Sequence, residues 1–346
     1  MPVRNPFDPE TVYFIAEAGV NHNGSIKRAK EMIDVAADVG ADAVKFQAYD
    51  AEASVQADES KVEYQDENTG EDESQLDMLK RYELNRDDHI KLRSYCDQKK
   101  IDFLTTVSTI ESIDKIRGLN LPLLKIGSAD LNNYPALEYV LELGIPLIIS
   151  TGMSHMDEVI ETQEFIDDIN SGIDVAFLHC VSDYPAKPDE LNLAAIQTMR
   201  EELATEVGFS DHTICPEIPG VAIGAGATII EKHFTLDRSL SGPDHQASLE
   251  PAELNDAISL SRLAKRSIGN GKKSPSESET KNRPKFRRSI HATTNLKKGA
   301  VIDKKDVRIC RPAEGLDPKH WDQVIGAKLY HSIAAGDPLS EEHISL

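Results

Sequence analysis

One unit recurs along the first 266 residues: a short apolar run rich in β-branched residues, followed by a segment with amphipathic-helix spacing. The apolar runs lie at 11–16, 42–47, 101–106, 122–127, 145–150, 174–179, 206–210 and 227–233. The helical patterns include 26–39, 86–99, 133–143, 155–169, 189–202 and 252–266. Continuous apolar strands that alternate with helices predict a parallel sheet covered by helices. Eight such units predict an α/β fold of the (β/α)8 TIM-barrel type. A doubly wound open sheet is the alternative, and the lack of GxGxxG after the first run disfavours it.

Two segments interrupt this rhythm. Residues 48–85 separate the second strand from its helix by more than a usual βα connection, and positions 57–73 carry eight acidic residues. A solvated, partly disordered loop is the favoured interpretation, and a lid over the barrel mouth is the alternative.

The second interruption is rich in Gly, Ser, Pro and Lys, which is typical of a linker. It divides the chain into a barrel over 1–267, a linker over 268–288 and a small, mostly-β domain over 289–346. A domain of that size has little core of its own, so we expect it to dock onto another surface.

The chain is acidic, with a formal net charge of −21. This charge disfavours nucleic acid and anionic membranes as partners, and an anionic substrate would need a locally positive pocket. Four cysteines lie far apart without a CxxC pair, which favours a reducing compartment over a disulfide framework. No apolar stretch is long enough for a membrane span or a signal peptide, so we expect a cytoplasmic protein.

Polar side chains follow every one of the eight predicted strands. In chain order they are Glu17; Lys45 and Gln47; Thr105 and Thr106; Lys125, Ser128 and Asp130; Ser150 and Thr151; His179, Ser182 and Tyr184; Ser210, Asp211 and His212; Glu231, Lys232 and His233. Buried lysine and glutamate are rare unless they are paired, so a purely structural role does not account for the whole set. Because barrel active sites lie at the C-terminal ends of the strands, this rim is the predicted site.

Two lysines and several hydroxyls on this rim suit a phosphate or a carboxylate. The ammonium groups supply charge and the hydroxyls supply neutral donors. The residues concerned are Lys45, Lys125, Thr106, Ser128, Ser150 and Ser210. In the alternative interpretation, the lysines only form a structural network with neighbouring carboxylates.

His212 and His233 end consecutive strands and are candidate ligands for Mn²⁺, Fe²⁺, Co²⁺ or Zn²⁺. Two histidines can equally be hydrogen-bonding or acid–base groups; Asp211 and Glu231 would act as supporting acceptors. Candidates for general acid–base chemistry are Glu17, Asp130, Tyr184 and Glu231. His22 and His179 are interpreted as structural. Asp237, Asp244 and His245 either bind a polyhydroxylated ligand or shape the loop after strand eight.

Several of these segments carry a family resemblance. They are FIAEAGVNHNGS (14–25), GADAVKFQ (40–47), LKIGSADLNNYP (124–135), LHCVSDYP (178–185), VGFSDHT (207–213), IIEKHFTLDRSLSGPDHQASLEP (229–251) and NLKKGAVIDKKDV (295–307). Together they resemble the N-acetylneuraminate (sialic acid) synthase family, including its legionaminate and pseudaminate branches. The resemblance spans nearly the whole chain.

The resemblance implies a TIM barrel followed by an antifreeze-like (SAF) domain, and a homodimer in which each SAF domain covers the partner's active site. It implies that phosphoenolpyruvate condenses with an N-acylated hexosamine, either N-acetylmannosamine or a 2,4-diacetamido-6-deoxy hexose. The products would be a nonulosonic acid and phosphate, and the implied cofactor is a divalent metal, Mn²⁺ or Mg²⁺.

By position, the resemblance assigns phosphoenolpyruvate to the lysines and hydroxyls named above and the metal to His212 and His233. It places Glu17, Gln47, Tyr184 and Asp244 at the sugar, Glu231 near the metal, and Arg311 at the sugar of the partner subunit. Ser182 stands where the family commonly has Asn or Thr, and is retained as a substrate-binding candidate. Asp130 stands where the family usually has Glu, so its carboxylate is one methylene shorter.

Two other functions remain open from the sequence. One is a phosphoenolpyruvate-dependent synthase that acts on a phosphorylated sugar, which would need a second basic cluster. The other is a non-catalytic carbohydrate-binding barrel, which the change at Asp130 would support.

Overall fold

The computed structural model describes residues 4–57, 59–69, 73–169 and 172–345. Eight parallel strands close into a barrel in the order β1 to β8, with β1 hydrogen-bonded to both β2 and β8. The strands are β1 Tyr13–Gly19, β2 Ala43–Gln47, β3 Asp102–Val107, β4 Leu124–Ile126, β5 Leu147–Ser150, β6 Val175–Cys180, β7 Glu206–Asp211 and β8 Ile229–His233. The predicted TIM barrel is therefore confirmed.

The helices follow the strands around the outside of the barrel. They are α1 Ile26–Asp38, α2 Ala51–Ser54, α3 Glu63–Thr69, α4 Gln75–Tyr82, α5 Arg86–Lys99, α6 Ile110–Ile116, α7 Tyr134–Leu141, α8 Met156–Ile169, α9 Ala195–Glu202, α10 Ile218–Gly224 and α11 Pro251–Ile268. Side-chain caps fix where several of them begin: the Ser25 hydroxyl accepts the Arg28 amide, and the Asn85 side chain accepts the Asp88 amide. Each such cap contributes about 1 kcal/mol.

Alternation along each strand sorts its side chains into an outer and an inner set. Outward residues such as Phe14, Phe46 and Phe209 pack beneath the helices in the main core. Inward residues from the first half of each strand, including Ile15, Leu104 and Ile148, form a second apolar cluster inside the barrel. Continuing the inward set toward the C-terminal ends leads to polar residues, so the polar layer lies directly above an apolar floor.

The segment over 48–85 is more ordered in its described residues than the favoured loop interpretation expected. It contains α2, α3 and α4, and Val20, Tyr49, Ala51, Met78 and Tyr82 form a separate apolar cluster. The Asn68 amide group also donates a 2.6 Å hydrogen bond to the Pro243 carbonyl in the loop after β8. Part of the acidic run, residues 58 and 70–72, lies outside the described residues. The arrangement favours the lid interpretation, because α3 and α4 pack over the C-terminal end of the barrel.

The chain divides into two compact units, residues 1–269 and 270–346. The second unit contains α12 Glu277–Phe286, β9 Ser289–Ala292, β10 Val307–Cys310 and α13 Trp321–Val324. The strands β9 and β10 pair antiparallel above a small apolar cluster that includes Ile290, Val307 and Leu339. The stretch predicted to be a linker therefore includes an exposed helix, capped by the Ser276 hydroxyl on the Glu279 amide.

No helix in the described part of the chain is both long enough and apolar enough to cross a membrane.

Candidate active site

A cavity of about 180 Å³ opens at the C-terminal end of the barrel. It collects most of the residues predicted from the strand ends. Those that line it are Glu17, Lys45, Gln47, Thr106, Lys125, Ser128, Ser150, Tyr184, Ser210, His212, Glu231, His233 and Asp244. These predicted residues come from seven of the eight strands and from the loops after β4, β6, β7 and β8, as the inward alternation requires.

One end of the cavity is built for an anion. Lys125 Nζ donates to Ser150 Oγ at 2.6 Å and to the Ile126 carbonyl at 2.8 Å, and burial lowers the pKa of this lysine. The Gly152 amide donates to Ser128 Oγ at 2.9 Å. A side chain at Gly152 would collide with the hydroxyls of Ser182 and Ser128, so glycine keeps the space between them open. An ammonium group and the hydroxyls of Ser128 and Ser150 line the cavity here, and such donors suit a phosphate.

Lys45 lies between two carboxylates. Its Nζ is 2.9 Å from Glu17 Oε2 and 3.7 Å from Glu231 Oε2, and it donates to Thr106 Oγ1 at 2.6 Å. Burial raises the pKa of Glu17 to about 7, against the opposing effect of Lys45. Burial also acts on Glu231, but Lys125 and Lys45 outweigh it and lower the pKa of that carboxyl. Glu231 is therefore the more acidic member of the pair, and Glu17 keeps its proton to a higher pH.

The two predicted metal-binding histidines are neighbours. Their ring centroids lie 5.5 Å apart, and the Tyr184 ring stacks on His212 at 4.1 Å. His212 Nδ1 is 2.7 Å from the Val181 carbonyl, which fixes that nitrogen as the donor and leaves the Nε2 lone pair for a ligand. His233 Nδ1 is buried and has no hydrogen-bond partner among the described residues. A buried imidazole nitrogen without a partner fits a metal ligand.

Two imidazoles do not complete a coordination shell. Among the described residues, no group of three or more His, Cys, Asp or Glu side chains could hold a metal ion. A metal held by His212 and His233 would therefore take its remaining ligands from water and from substrate oxygens, as an open catalytic site requires.

Glu17, Gln47 and Asp244 converge at the other end of the cavity. A Cβ built on Gly19 would lie 3.3 Å from Glu17 Oε1, 3.5 Å from Asp244 Oδ2 and 3.6 Å from Gln47 Nε2. Gly19 has φ +51°, in the left-handed region that favours glycine. Burial raises the pKa of Asp244 to about 6. These acceptors and the amide suit hydroxyl and N–H groups of a sugar.

Some rim residues take purely structural positions. Asp211, proposed as a supporting acceptor for a histidine, instead pairs with Lys232 at 2.7 Å on the outward face, beneath the helices. His22 Nδ1 accepts the Gly24 amide, and His179 Nε2 bonds to the Leu191 carbonyl. His245 bridges Thr235 and Asn23, so this histidine shapes its loop, whereas Asp244 beside it lines the cavity.

Three other candidates lie off the cavity wall. Asp130 accepts a 3.1 Å hydrogen bond from Asn133 and stands one turn beyond Ser128, in the short 3₁₀ segment Ser128–Asp130. Its carboxylate Oδ2 would be 4.0 Å from a Cβ on Gly127, which does line the cavity. Ser182 adjoins Ser128 across Gly152. Arg311 belongs to the second unit, where its guanidinium carbon lies 5.1 Å from the centre of the Phe286 ring.

Sequence reasoning missed the apolar part of the wall and one thiol. Val20, Met78, Leu79 and Tyr82 line the cavity from the loop after β1 and from α4. Cys180 also lines it, with Sγ 3.8 Å from His212 Nδ1. The alternation Ala176, Leu178, Cys180 could have placed that thiol inside the barrel.

A closed (β/α)8 barrel with a buried lysine–hydroxyl pocket, an open histidine pair and a carboxylate-lined side has the architecture of a barrel enzyme whose site lies at the C-terminal ends of the strands. The model of the NeuB family matches residues 32–273, and that of the SAF domain matches residues 287–345. The chain belongs to the NeuB family.

Individual relatives are consistent with this assignment. The chain is 42% identical over 340 residues to an N,N'-diacetyllegionaminic acid synthase of Legionella pneumophila, a match that covers 96% of this chain and 95% of the relative. It is 39% identical to the enzyme of the same name from Campylobacter jejuni, covering 90% and 94%. The crystal structure of an N-acetylneuraminic acid synthetase from Leptospira borgpetersenii, in complex with citrate, superposes with a TM-score of 0.70 at 34% identity, covering 79% of this chain and 90% of that one.

Proposed function

We propose that this protein is a nonulosonic acid synthase, a transferase that condenses phosphoenolpyruvate with an N-acylated hexosamine and releases phosphate. The observation that carries the proposal is one cavity with an anion pocket at Lys125, Ser128 and Ser150 and hydroxyl-binding groups at Glu17, Gln47 and Asp244. The names of the NeuB-family relatives support the same reaction.

The reaction balances with these two substrates and water. Carbon 3 of phosphoenolpyruvate forms a bond to the open-chain aldehyde carbon, whose π-electron pair moves to the aldehyde oxygen and takes up a proton. Water adds to carbon 2 and gives up one proton, which leaves a hydroxyl group there. Phosphate then leaves with the electron pair of its C–O bond and takes up the proton of that hydroxyl, so a 2-keto group remains.

The chain's own groups supply charge, orientation and proton transfer. Lys125 and the hydroxyls of Ser128 and Ser150 hold the phosphate end, where the leaving group gains charge. Glu17 lies beside Lys45 with a pKa of about 7, so it can give up or accept a proton at neutral pH. The buried position of these groups excludes bulk water from the reactive intermediate.

We propose that His212 and His233 hold a divalent metal, Mn²⁺ or Mg²⁺. The metal would supply Lewis-acid polarisation of the acceptor's aldehyde oxygen. The unpartnered Nδ1 of His233 and the fixed tautomer of His212 support this role. Titration of metal-free protein with Mn²⁺, followed by its paramagnetic resonance signal, should give one site per chain that is lost in His212→Ala and in His233→Ala. His179→Ala, at the end of β6 but outside the cavity wall, is the matched control and should keep the site.

We also propose a cytoplasmic homodimer in which Arg311 of each SAF unit contacts the acceptor in the partner's barrel. Arg311 is exposed, and its guanidinium group lies over the Phe286 ring. Arg311→Ala and Lys125→Ala would each inactivate a homodimer. Mixing the two unfolded chains and refolding them together should restore about a quarter of wild-type activity, because half of the dimers would carry one intact site. No recovery would rule out a shared site.

The reaction itself is tested by incubating the protein with phosphoenolpyruvate, Mn²⁺ and a panel of free aldoses, and measuring phosphate release and product mass. A nine-carbon 2-keto acid with equimolar phosphate is expected from at least one aldose. Sugar binding without any turnover would instead establish the non-catalytic barrel.

A further inference from the structure

One hydrogen bond joins two walls of the cavity that come from distant parts of the chain. The Asn68 side-chain amide donates to the Pro243 carbonyl at 2.6 Å. Asn68 lies on α3, in the segment after β2, and Pro243 lies in the loop after β8. Both segments line the cavity, the first through Gln65 and the second through Pro243 and Asp244. Since β1 is hydrogen-bonded to both β2 and β8, the bond links the two segments on either side of β1.

The part of the chain that carries Asn68 is held together by its own contacts. Lys61 is 6% exposed, and its Nζ donates to Thr69 Oγ1 at 2.9 Å. The Gln75 amide donates to the Glu59 carbonyl at 3.0 Å, which joins the start of this segment to the start of α4. We call residues 59–69 the flap. Because these contacts tie the flap to itself and to α4, a bond at Asn68 can set the position of the flap as a whole.

The acceptor of this bond is the peptide group that leads into a cavity side chain. Pro243 directly precedes Asp244, so its carbonyl belongs to the planar peptide unit that ends at the Asp244 Cα. Asp244 is 7% exposed and lines the cavity. The same loop is held a little earlier by Asn23, whose amide donates to the Ser241 carbonyl at 2.7 Å. A donor on the Pro243 carbonyl restrains rotation of that peptide unit, and it therefore restrains the direction of the Asp244 carboxylate.

We propose that Asn68 is a positioning residue for the reaction: its bond to the Pro243 carbonyl holds the flap against the loop after β8 and keeps Asp244 in place for the acceptor sugar. This inference rests on the proposed function, in which Asp244 binds hydroxyl groups of the acceptor. The residue acts through Asp244 and through the position of Gln65, and it has no assigned contact with phosphoenolpyruvate.

The effect of Asn68 should be confined to one side of the cavity. We call Lys125, Ser128 and Ser150 the anion end; they come from β4, from the turn after it and from β5. In a closed barrel of eight strands, β4 and β5 lie across from β8 and β1. Loss of the bond at Asn68 should therefore weaken binding of the acceptor and leave binding of phosphoenolpyruvate unchanged.

The test removes the donor without changing the size of the side chain. Asn68→Asp replaces the amide by a carboxylate, which accepts hydrogen bonds but does not donate them when ionised. KM is measured for N-acetylmannosamine and for a 2,4-diacetamido-6-deoxy hexose at saturating phosphoenolpyruvate and Mn²⁺, and then for phosphoenolpyruvate at saturating aldose. Asn68→Asp should raise the KM of the aldose about three- to tenfold, the effect of one hydrogen bond, and change that of phosphoenolpyruvate less than about twofold.

Two further variants separate the hydrogen bond from the added charge. Gln56→Glu is the matched control, because it makes the same amide-to-carboxylate change at an exposed position before the flap and outside the cavity wall. It should leave both KM values unchanged. Asn68→Gln keeps an amide donor on a side chain one methylene longer and should recover part of the loss. Deuterium exchange of the flap amides should be faster in Asn68→Asp than in the wild type and unchanged in Gln56→Glu.

Other results would overturn the inference and leave the proposed function in place. A lower kcat with both KM values unchanged would mean that Asn68 only supports the fold. An equal rise in both KM values would mean that its effect is not directed at the acceptor. Unchanged KM values and unchanged exchange in Asn68→Asp would mean that the bond does not hold the flap. Absence of turnover of both aldoses by the wild-type protein would contradict the proposed function itself, and the inference with it.

Discussion

Two buried lysines at the same end of the barrel differ in how completely their surroundings satisfy them. Lys232 faces outward beneath the helices and bonds to Asp211 Oδ2 at 2.7 Å, to the Thr213 carbonyl at 2.5 Å and to the Thr213 hydroxyl at 3.0 Å. Asp211 Oδ1 in turn accepts the Thr213 amide. Lys45 faces inward, and neither Glu17 Oε2 nor Glu231 Oε2 has a well-oriented hydrogen-bond donor among the described residues.

Lys232 thus belongs to an ion pair that stabilises the fold, whereas Lys45 belongs to an ion pair within the candidate active site. A closed network stabilises only if every member is paired, as around Lys232. The inward set shares one ammonium group between two carboxylates and leaves the Nδ1 nitrogen of His233 without a partner among the described residues, which costs stability but provides sites for a substrate and a metal. Variants on the two faces should therefore affect different properties.

The largest expected effect is on the outward face. Lys232→Met should lower the free energy of unfolding by about 3–5 kcal/mol, because Asp211 is left buried and uncompensated. Urea unfolding followed by circular dichroism measures the loss. The double variant with Asp211→Leu should recover most of it, since both charges are then removed. An equal loss of unfolding free energy in the single and double variants would show that the ion pair between Asp211 and Lys232 does not stabilise this region.

On the inward face, activity should change more than stability. Lys125→Ala should lower kcat/KM for phosphoenolpyruvate by about 10²–10³-fold, because it removes the main charged donor at the anion end. Unfolding by urea should show a smaller loss of stability than in Lys232→Met, because removing the buried ammonium group offsets part of the lost attraction to Glu231. Calorimetric titration with phosphoenolpyruvate checks the affinity directly, and an unchanged value would remove Lys125 from the site.

The difference between the faces could be read in part from the sequence. The barrel and the polar rim followed from the repeated strand–helix pattern, and the described strands lie within a few residues of the predicted runs. Grouping all strand ends together, however, placed Asp211 and Lys232 with the site. The strict period of two separates them: Asp211 alternates with Ser210, and Lys232 lies between Glu231 and His233.

Other parts of the site depend on tertiary structure and had no local signal. The acidic composition of 57–73 resembles a solvated loop, yet α4 beside it buries Met78 and Tyr82 against Val20 and Tyr49. Those contacts join residues far apart in the chain, so no periodicity within one segment specifies them. The hydrogen bond from Asn68 to Pro243 is a further case, because the two residues are 175 positions apart in the chain.

A buried histidine outside the cavity also lacks hydrogen-bond partners, so its cost in stability can be measured independently of the candidate active site. His89 on α5 is 0% exposed, and neither ring nitrogen has a hydrogen-bond partner among the described residues. Burial lowers the pKa of this histidine to about 4. Below pH 6.5 His89 becomes protonated in the unfolded chain but stays neutral in the folded chain. The folded state is therefore destabilised at this residue as the pH falls.

His89→Leu should therefore reduce the loss of unfolding free energy between pH 7 and pH 5 by about 2 kcal/mol. Urea unfolding at both pH values measures it. His155→Leu, at an exposed position, is the matched control and should leave the pH dependence of the wild type unchanged. The same slope in His89→Leu and the wild type would mean that this ring is hydrated or paired in solution.

The smallest expected effect is on the pH dependence of stability, and it compares Glu17, which pairs with Lys45, with Asp211, which pairs with Lys232. The pKa of Glu17 is raised from 4.5 to about 7, so the folded state holds a proton that the unfolded state loses as the pH rises above 4.5. The free energy of unfolding therefore falls as the pH rises from 4.5 to about 7. Glu17→Gln, whose side chain stays neutral, avoids this loss. We expect the Glu17→Gln variant to be more stable than the wild type by about 1 kcal/mol at pH 8, by less at pH 5, and to be inactive.

Asp211→Asn should instead lose stability at both pH values, because Lys232 needs the charge of its partner. Thermal unfolding of both variants at the two pH values measures these changes in stability. Destabilisation of Glu17→Gln at pH 8 would show that Glu17, like Asp211, is a structural partner of its lysine, and it would remove the distinction between the two faces of the barrel strands.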